Sequence, residues 1–199
     1  ISGIIERAFR REFMKNSRAG IRGRNLVITS ILERMAVQIL KKDRQYAPFR
    51  IISLEKKYHM PMPLVSSEEK PELIIGGTID RIDEKNGRYR VLDYKSGADS
   101  TDIGNLDQLF DYEYAGRNSA AFQTLLYCEI YRHNNNADKD IRPSLYPVRK
   151  IFSEGFSDLF NVKKADNKGQ IFSYADIRDH FLDGLGNVLS DIFDIKRDI

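Results

Sequence analysis

Residues 76–97 read GGTIDRIDEKNGRYRVLDYKSG, and this stretch decides the fold. Asn86-Gly87 lies between two runs that alternate apolar and polar residues, which predicts a β-hairpin with a two-residue type I′ turn. In the register that this turn sets, Asp80 faces Asp93 across the two strands. Two directly opposed acids repel each other, so we expect a cation between them.

Two converging carboxylates predict a site for a hard divalent cation. Mg²⁺ takes oxygen ligands and commonly uses one or two protein carboxylates together with a substrate phosphate. Lys95 lies on the same strand face as Asp93, because side chains two residues apart on a strand point the same way. An ammonium group there can hold an attacking water or offset the charge that builds on phosphorus. Asp80, Asp93 and Lys95 therefore form a minimal set for metal-assisted phosphodiester hydrolysis.

The alternative for these charged residues is a solvated strand face with weak surface ion pairs. The neighbouring sequence argues against it, because the run Val91-Leu92-Asp93-Tyr94 is an apolar and aromatic setting for an acid, and isoleucines flank Asp80. Asp83 differs, since it would face Arg90 on the opposite side of the strands, where a cross-strand ion pair explains it. We therefore prefer Asp80 to Asp83 as the metal ligand.

Three motifs resemble the RecB/AddB-type branch of the PD-(D/E)XK nuclease superfamily. They are Gly77-x-x-Asp80-Arg81-Ile82-Asp83, then Val91-Leu92-Asp93-Tyr94-Lys95-Ser96-Gly97, then Gln123-x-x-x-Tyr127. The family pattern is G-x-x-D-R-h-D, a short turn, h-h-D-Y-K-[ST]-G, and a helix that carries Q-x-x-x-Y. The resemblance implies a restriction-endonuclease-like core.

The resemblance also implies roles for individual residues of the hairpin. Asp80 and Asp93 would bind Mg²⁺ or Mn²⁺, and the backbone carbonyl of Tyr94 would add another oxygen ligand. Lys95 would be the catalytic lysine. DNA would be the substrate, and a helicase subunit or domain would be a partner.

Gln123 and Tyr127 would lie near the metal and the DNA backbone. Their helix is predicted independently, from the N-cap pair Asn118-Ser119 and from helical apolar spacing over 120–131, and residues four apart share a helix face. The alternative is a half-buried tyrosine beside an amide that needs a partner. Glu55, on an earlier predicted strand, fits the place of a further family glutamate and metal ligand, or is a solvated strand acid.

The chain departs from the resembled family in its histidines and cysteines. Many members carry a metal-binding histidine on an early helix, and none of His59, His133 and His180 lies on one here, so that ligand is unassigned. Some AddB-type members carry four cysteines for an iron–sulfur cluster. This chain has Cys128 alone, whose place in a predicted helix favours a small core residue. The sequence does not support a cluster.

Composition indicates one globular domain with a sizeable core. Of the 199 residues, 31% are charged and 41% are hydrophobic. No apolar run reaches the ~18 residues that a membrane span needs, and no secretory signal is visible. A single cysteine excludes an internal disulfide framework and favours a reducing, cytoplasmic location.

Positive charge is concentrated in residues 1–50. This segment has twelve Lys and Arg against four Asp and Glu, a net charge of +8 within a chain whose total is +3, so the remainder carries −5. Such a basic segment could contact DNA phosphates in a salt-dependent way. The alternative is a solvated helix surface.

Hydrophobic spacing and breaker residues predict the order of elements. In the first part of the chain we expect helices at 3–16 and 25–42, a strand at 49–60, and a loop through Pro61, Pro63 and 66–71. The hairpin at 73–95 is followed by a long loop, the excursion, at 96–118 and by a helix at 119–133. After a turn at 134–140 we expect a strand at 144–153 paired with 155–162, a turn at 163–169, and a helix at 174–193. A capping box at Ser173-x-x-Asp176 begins the last helix. Aromatic residues of the excursion either stack on unpaired bases or, as we prefer, anchor the loop.

This order predicts an α/β (α+β) fold in which helices flank a mixed central sheet. We expect a single nuclease-like domain over 1–199, with a basic helical part at 1–45, a catalytic core at 46–133, and C-terminal strands and a helix at 134–199. The chain starts at Ile1 within a helical pattern and ends without a tail, so we expect a fragment of a larger protein.

These observations predict a Mg-dependent deoxyribonuclease domain, an exonuclease that acts in DNA end processing and recombinational repair. Two alternatives stay open. One is a catalytically inactive DNA-binding module of a helicase–nuclease complex. The other is a structural interaction domain whose polar hairpin is coincidental.

Overall fold

A computed structural model describes residues 1–63, 72–135, 139–163 and 168–193. The chain divides into two compact units. The smaller consists of Ile1–Pro48 and Val148–Phe156, and the larger of Phe49–Pro147 and Ser157–Ile199. The single-domain organisation over 1–199 stays a prediction.

The smaller unit contains the helices α1 (Ser2–Glu12) and α2 (Arg24–Tyr46). Of the described side chains, α1 buries Phe9 alone and α2 buries Thr29 alone. The predicted helix at 3–16 ends early because Lys15 adopts a φ of 52°, in the left-handed region that closes a helix. Within the described part of the chain, no helix has the length and apolarity needed to cross a membrane.

The larger unit carries the strands. In chain order its elements are β1 (Arg50–Pro63), β2 (Glu72–Lys85), β3 (Arg88–Lys95), β4 (Asp102–Ile103), a 3-10 helix (Leu106–Leu109), α3 (Ser119–Asn135), β5 (Ile141–Pro147), β6 (Asn161–Lys163), β7 (Lys168–Gln170), a second 3-10 helix (Tyr174–Asp176) and α4 (Arg178–Phe193).

Among the described residues, the main sheet has the strand order β1-β2-β3-β5. The first three strands are antiparallel, and β5 runs parallel to β3 with α3 as the crossover between them. Asn86 and Gly87 form the hairpin turn with φ of 53° and 79°, as a type I′ turn requires. The predicted register is confirmed where Ile82 pairs with Val91. A mixed sheet flanked by helices confirms the predicted fold class.

Helix α3 packs against the sheet and is the centre of the core. Leu125, Cys128 and Ile130 on this helix are fully buried, and Ile82 of β2 and Val91 of β3 belong to the same apolar cluster. Burial raises the pKa of the Cys128 thiol well above its usual range. The packing of α3 fixes the helix that carries Gln123 and Tyr127 over the sheet.

The excursion at 96–118 is partly ordered by its own short elements, β4 and the first 3-10 helix. Leu109 is buried, and the Phe110 ring packs against Phe122 and Phe181 with centroids 6.0 and 5.5 Å apart. Leu109 and Phe110 therefore anchor the loop, which is the alternative that the sequence favoured over stacking on unpaired bases. Tyr112 does not take part, because 78% of it is exposed.

Three sequence expectations about elements are wrong. The strand predicted at 144–153 ends at Pro147, and turns follow it, because proline lacks the N–H that would continue a ladder. The 155–162 segment does not form a strand beside β5; its end, β6, pairs with β4 and β7. Pro61 and Pro63 lie in β1 and not in a loop, which is tolerated because β1 is an edge strand of this sheet.

The expected start of the last helix is also wrong. The Ser173 hydroxyl accepts a hydrogen bond from the Ala175 N–H at 3.2 Å, so it caps a single 3-10 turn. Ile177 then has a φ of −127°, and α4 begins at Arg178. The predicted loop at 66–71 lies outside the described residues, as do parts of the turns predicted at 134–140 and 163–169.

Candidate active site

The candidate site lies where β2 and β3 separate. The last pair of their ladder is Arg81 with Leu92, so Asp80 and Asp93 are not a ladder pair as the sequence predicted. Asp80 instead contacts the residue that follows Asp93, because its Oδ2 accepts a hydrogen bond of 2.8 Å from the Tyr94 N–H. Asp93 lies on the face of the sheet that carries the buried Ile82–Val91 pair, because it is two residues from Val91 on β3.

Asp93 is 2% exposed, and its environment opposes ionisation. Burial raises the pKa of this carboxyl to about 6, the Lys95 ammonium opposes the rise, and the negative charges of Asp80 and Asp99 add to it. Lys95 Nζ lies 2.8 Å from Asp93 Oδ2, so the buried carboxylate is paired with this ammonium group.

Lys95 is also held from α3. Its Nζ donates to Gln123 Oε1 at 2.7 Å, and Gln123 Nε2 donates to the Tyr127 hydroxyl at 2.7 Å. Gln123 and Tyr127 lie one helical turn apart, which places both side chains on one face of α3. Tyr127 is only 8% exposed, and it is connected to Lys95 through Gln123. The structure thus brings all five predicted residues into one connected group.

Gly77 makes room for this arrangement, which the sequence analysis did not foresee. A Cβ on Gly77 would lie 2.7 Å from Tyr127 Cε1 and 2.9 Å from its hydroxyl oxygen. Glycine at this position therefore lets the tyrosine ring close against β2. The sequence does mark Gly77, because it begins the first motif, but Tyr127, the residue that packs against it, is fifty positions away in the chain.

The backbone of Glu55 in β1 lies next to the candidate site, and its side chain is exposed to solvent. Leu54 pairs with Arg81 and Lys56 with Ile79, which places Glu55 opposite Asp80 in the register. Glu55 is exposed and has a φ of 48°, a left-handed conformation that is unusual for a non-glycine residue in a strand. Its role as a metal ligand stays a prediction.

Several other candidates do not join the group. In the described ranges, no three His, Cys, Asp or Glu side chains come together as a ready metal cage. His180 lies 2.7 Å from Asp107 instead, and the upstream histidine ligand stays unassigned. Asp99, which acts on the charge of Asp93, was missed because nothing in a Gly- and Asp-rich loop distinguishes one acid from the others.

The donor set fits a hard divalent cation. A buried carboxylate and a second carboxylate close enough to oppose its ionisation are oxygen ligands of the kind that Mg²⁺ or Mn²⁺ prefers. A bound cation would also offset the free energy that burial adds to the ionised Asp93.

The comparison with protein families agrees with this site. A sequence model of the PD-(D/E)XK nuclease superfamily matches residues 1–196, so the chain belongs to that superfamily. Its members are nucleases and generally use divalent metal ions, which supports assignment as a hydrolase. No curated protein and no solved structure gives a significant match.

Proposed function

We propose that the chain is a Mg²⁺- or Mn²⁺-dependent deoxyribonuclease domain of the RecB/AddB type. It would act as an exonuclease on DNA ends during recombinational repair in the cytoplasm, beside a helicase subunit or domain. The observation that supports this most is the connected group of Asp80, Asp93 and Lys95 at the divergence of β2 and β3. The order of the three motifs supports the RecB/AddB branch.

In this proposal each residue has a separate task. Asp80 and Asp93 would hold the ion, with the Tyr94 carbonyl and Glu55 as further candidate ligands. When bound, the ion would polarise a phosphoryl oxygen and lower the pKa of water. Lys95, restrained by Asp93 and Gln123, would position the attacking water or offset the charge that develops on phosphorus.

The test is cleavage of end-labelled linear DNA with Mg²⁺ or Mn²⁺, compared with EDTA. Lys95→Ala is expected to lower kcat by about 10²–10³-fold, as removal of a charge-stabilising donor does in other enzymes. Lys57→Ala removes an exposed lysine from β1 and is expected to keep full activity. Metal-independent cleavage, or equal activity of the two lysine variants, would contradict the proposal.

One observation favours a second candidate, an inactive DNA-binding module. Among the described residues, no third carboxylate or histidine completes the pair of acids into a metal cage. This alternative predicts salt-sensitive DNA binding without cleavage, in the parent and in Lys95→Ala alike. The cleavage assay and a binding titration in two salt concentrations therefore separate the two functions.

Gly77→Ala is expected to lower kcat by about 10²-fold, because small displacements of a catalytic group have effects of this size. The new methyl group would push the Tyr127 ring away, and Gln123 and Lys95 would move with it. The measurement is steady-state cleavage, with thermal unfolding to verify the fold. Gly186→Ala is the control, since no atom lies within 4 Å of its added Cβ. Normal cleavage by Gly77→Ala would show that the tyrosine contact does not position Lys95.

A further inference from the structure

The face of the sheet opposite Asp93 and Lys95 carries a buried network of charges. Arg81, Asp83 and Arg90 are 3%, 0% and 1% exposed. Arg90 donates to both oxygens of Asp83, at 3.0 and 2.7 Å, and Arg81 Nη2 lies 3.0 Å from Asp83 Oδ2. On the other side, Arg90 Nη1 lies 3.4 Å from Asp158 Oδ2. Such a network fixes its members to one geometry, because any shift leaves a buried charge without its partner.

Tyr94 connects this network to the candidate site. Arg81 Nη1 donates to the Tyr94 hydroxyl at 3.1 Å, and the Tyr94 ring packs edge-on against Tyr146 with centroids 5.6 Å apart. The backbone N–H of Tyr94 donates to Asp80 Oδ2 at 2.8 Å. Tyr94 is therefore held by its side chain on the reverse face and by its backbone N–H to Asp80 of the candidate site.

The Arg81–Tyr94 hydrogen bond also lies at a particular place in the sheet. Arg81 and Leu92 are the last pair of the β2–β3 ladder, and beyond them no further pair of the two strands continues it in the described register. Arg81 adjoins Asp80 in the chain, and Tyr94 adjoins Asp93. The side-chain bond thus ties the strands together where the ladder has ended and where the two acids must be held.

We propose that Arg81, Asp83 and Tyr94 are positioning residues for the metal-binding acids. Asp83 orients Arg81, Arg81 holds the Tyr94 hydroxyl, and Tyr94 keeps its N–H on Asp80. This chain of contacts sets the separation of Asp80 and Asp93, in the way that outer partners orient ligands in metal sites. The effect of these residues on catalysis rests on the proposed function. Their effect on the positions of Asp80 and Asp93, the geometric part of the inference, does not require that the protein cleaves DNA.

The sharpest test removes one oxygen atom from the chain of contacts. Tyr94→Phe deletes the hydroxyl that Arg81 holds and keeps the ring. Tyr146→Phe is the matched control, because its hydroxyl belongs to the same network through Arg90 Nη1, at 3.5 Å. Each variant loses one hydroxyl group of the same network, so a purely structural role predicts similar effects for the two.

Two measurements without DNA decide the geometric part. Hydrogen exchange at the amide of residue 94 is expected to become at least about tenfold faster in Tyr94→Phe than in Tyr146→Phe. The dissociation constant for Mn²⁺ alone, measured by calorimetry, is expected to rise about tenfold or more in Tyr94→Phe and to stay at the parent value in Tyr146→Phe. Unchanged exchange at residue 94 in Tyr94→Phe, or equal changes in the two variants, would overturn the inference.

DNA cleavage is the third measurement, and it shows whether a failure concerns the positioning residues or the proposed function. In Tyr94→Phe we expect a lower kcat at saturating DNA with an unchanged KM for DNA, because the hydroxyl lies on the reverse face of the sheet. A rise in KM alone would contradict a positioning role. A parent protein that binds Mn²⁺ but cleaves no DNA would refute the proposed function and leave the exchange and Mn²⁺ results to decide the inference.

Discussion

Asparagine in place of Asp93 is expected to abolish DNA cleavage and, at the same time, to stabilise the metal-free protein at pH 8. Loss of cleavage follows from the proposed role of Asp93 as a metal ligand. The gain in stability follows from burial, which raises the pKa of Asp93 from 3.8 to about 6. An acid that is harder to ionise in the folded state than in the unfolded state lowers the free energy of unfolding once it is ionised.

The pH dependence of this effect has a definite sign. Well below pH 3.8 Asp93 is protonated in both states and contributes no penalty. The penalty grows as the pH rises through the interval up to about 6 and is complete above it, where it amounts to about 2–3 kcal/mol. The advantage of Asp93→Asn over the parent should therefore be small at pH 4 and full at pH 8.

Urea denaturation in EDTA at these two pH values measures the advantage directly. Lys95→Ala makes a useful contrast, because it leaves the ionised Asp93 without its ammonium neighbour at 2.8 Å. Asp93→Asn should be inactive and Lys95→Ala strongly impaired, yet Lys95→Ala should be less stable than the parent at pH 8 and Asp93→Asn more stable. A lower stability of Asp93→Asn than of the parent at pH 8 would show that ionisation of the buried Asp93 does not destabilise the metal-free protein.

Alanine in place of Asp83 should have the largest effect on stability, a loss of about 3–5 kcal/mol in the free energy of unfolding. Asp83 is fully buried between Arg81 and Arg90, and its removal leaves two buried guanidinium groups without their shared carboxylate. Breaking a buried pair is costly because the remaining charges lose a partner and gain no solvent in its place.

Glu84→Gln is the matched control for Asp83→Ala. Glu84 is the next residue of β2 and pairs with Arg50 at 2.5 Å, but the Arg50 side chain is 72% exposed. Water and salt screen such a pair, so we expect little change in stability. Urea denaturation of both variants tests the contrast. Similar unfolding midpoints for the two would mean that burial does not strengthen the Asp83 contacts.

Much of the hairpin could be predicted because its determinants are local. The turn at Asn86-Gly87 and the alternation on either side fix the register, since a slip by one residue would turn every apolar side chain to the opposite face. The pairing of Gln123 with Tyr127 was also predictable, because a spacing of four on a helix places both side chains on one face. These arguments need only a few neighbouring residues.

Other parts of the site depend on residues that are distant in the chain. Asp83 was correctly expected to face Arg90, but Arg90 also contacts Asp158, which lies sixty-eight residues further along the chain. The fit of Tyr127 against Gly77 and the hydrogen bond from the Tyr94 N–H to Asp80 arise only after the sheet and α3 have packed. Sequence spacing carries no information about such contacts.

The errors in secondary structure have a similar origin. The strands β6 and β7 have three residues each, too few to show a period of two. The apolar run that continued past Pro147 looked like strand, but its buried members Val148 and Ile151 lie in turns. Hydrophobicity there records burial and not the conformation of the backbone.

The burial of Cys128 has a practical consequence for studying this protein. Because the native thiol is fully enclosed and resists deprotonation, maleimide reagents should react with it very slowly. A cysteine introduced at the exposed position of Tyr112 would then be the preferred attachment point for a fluorophore. The wild-type background can thus be labelled at a chosen surface position without first engineering away its own sulfhydryl.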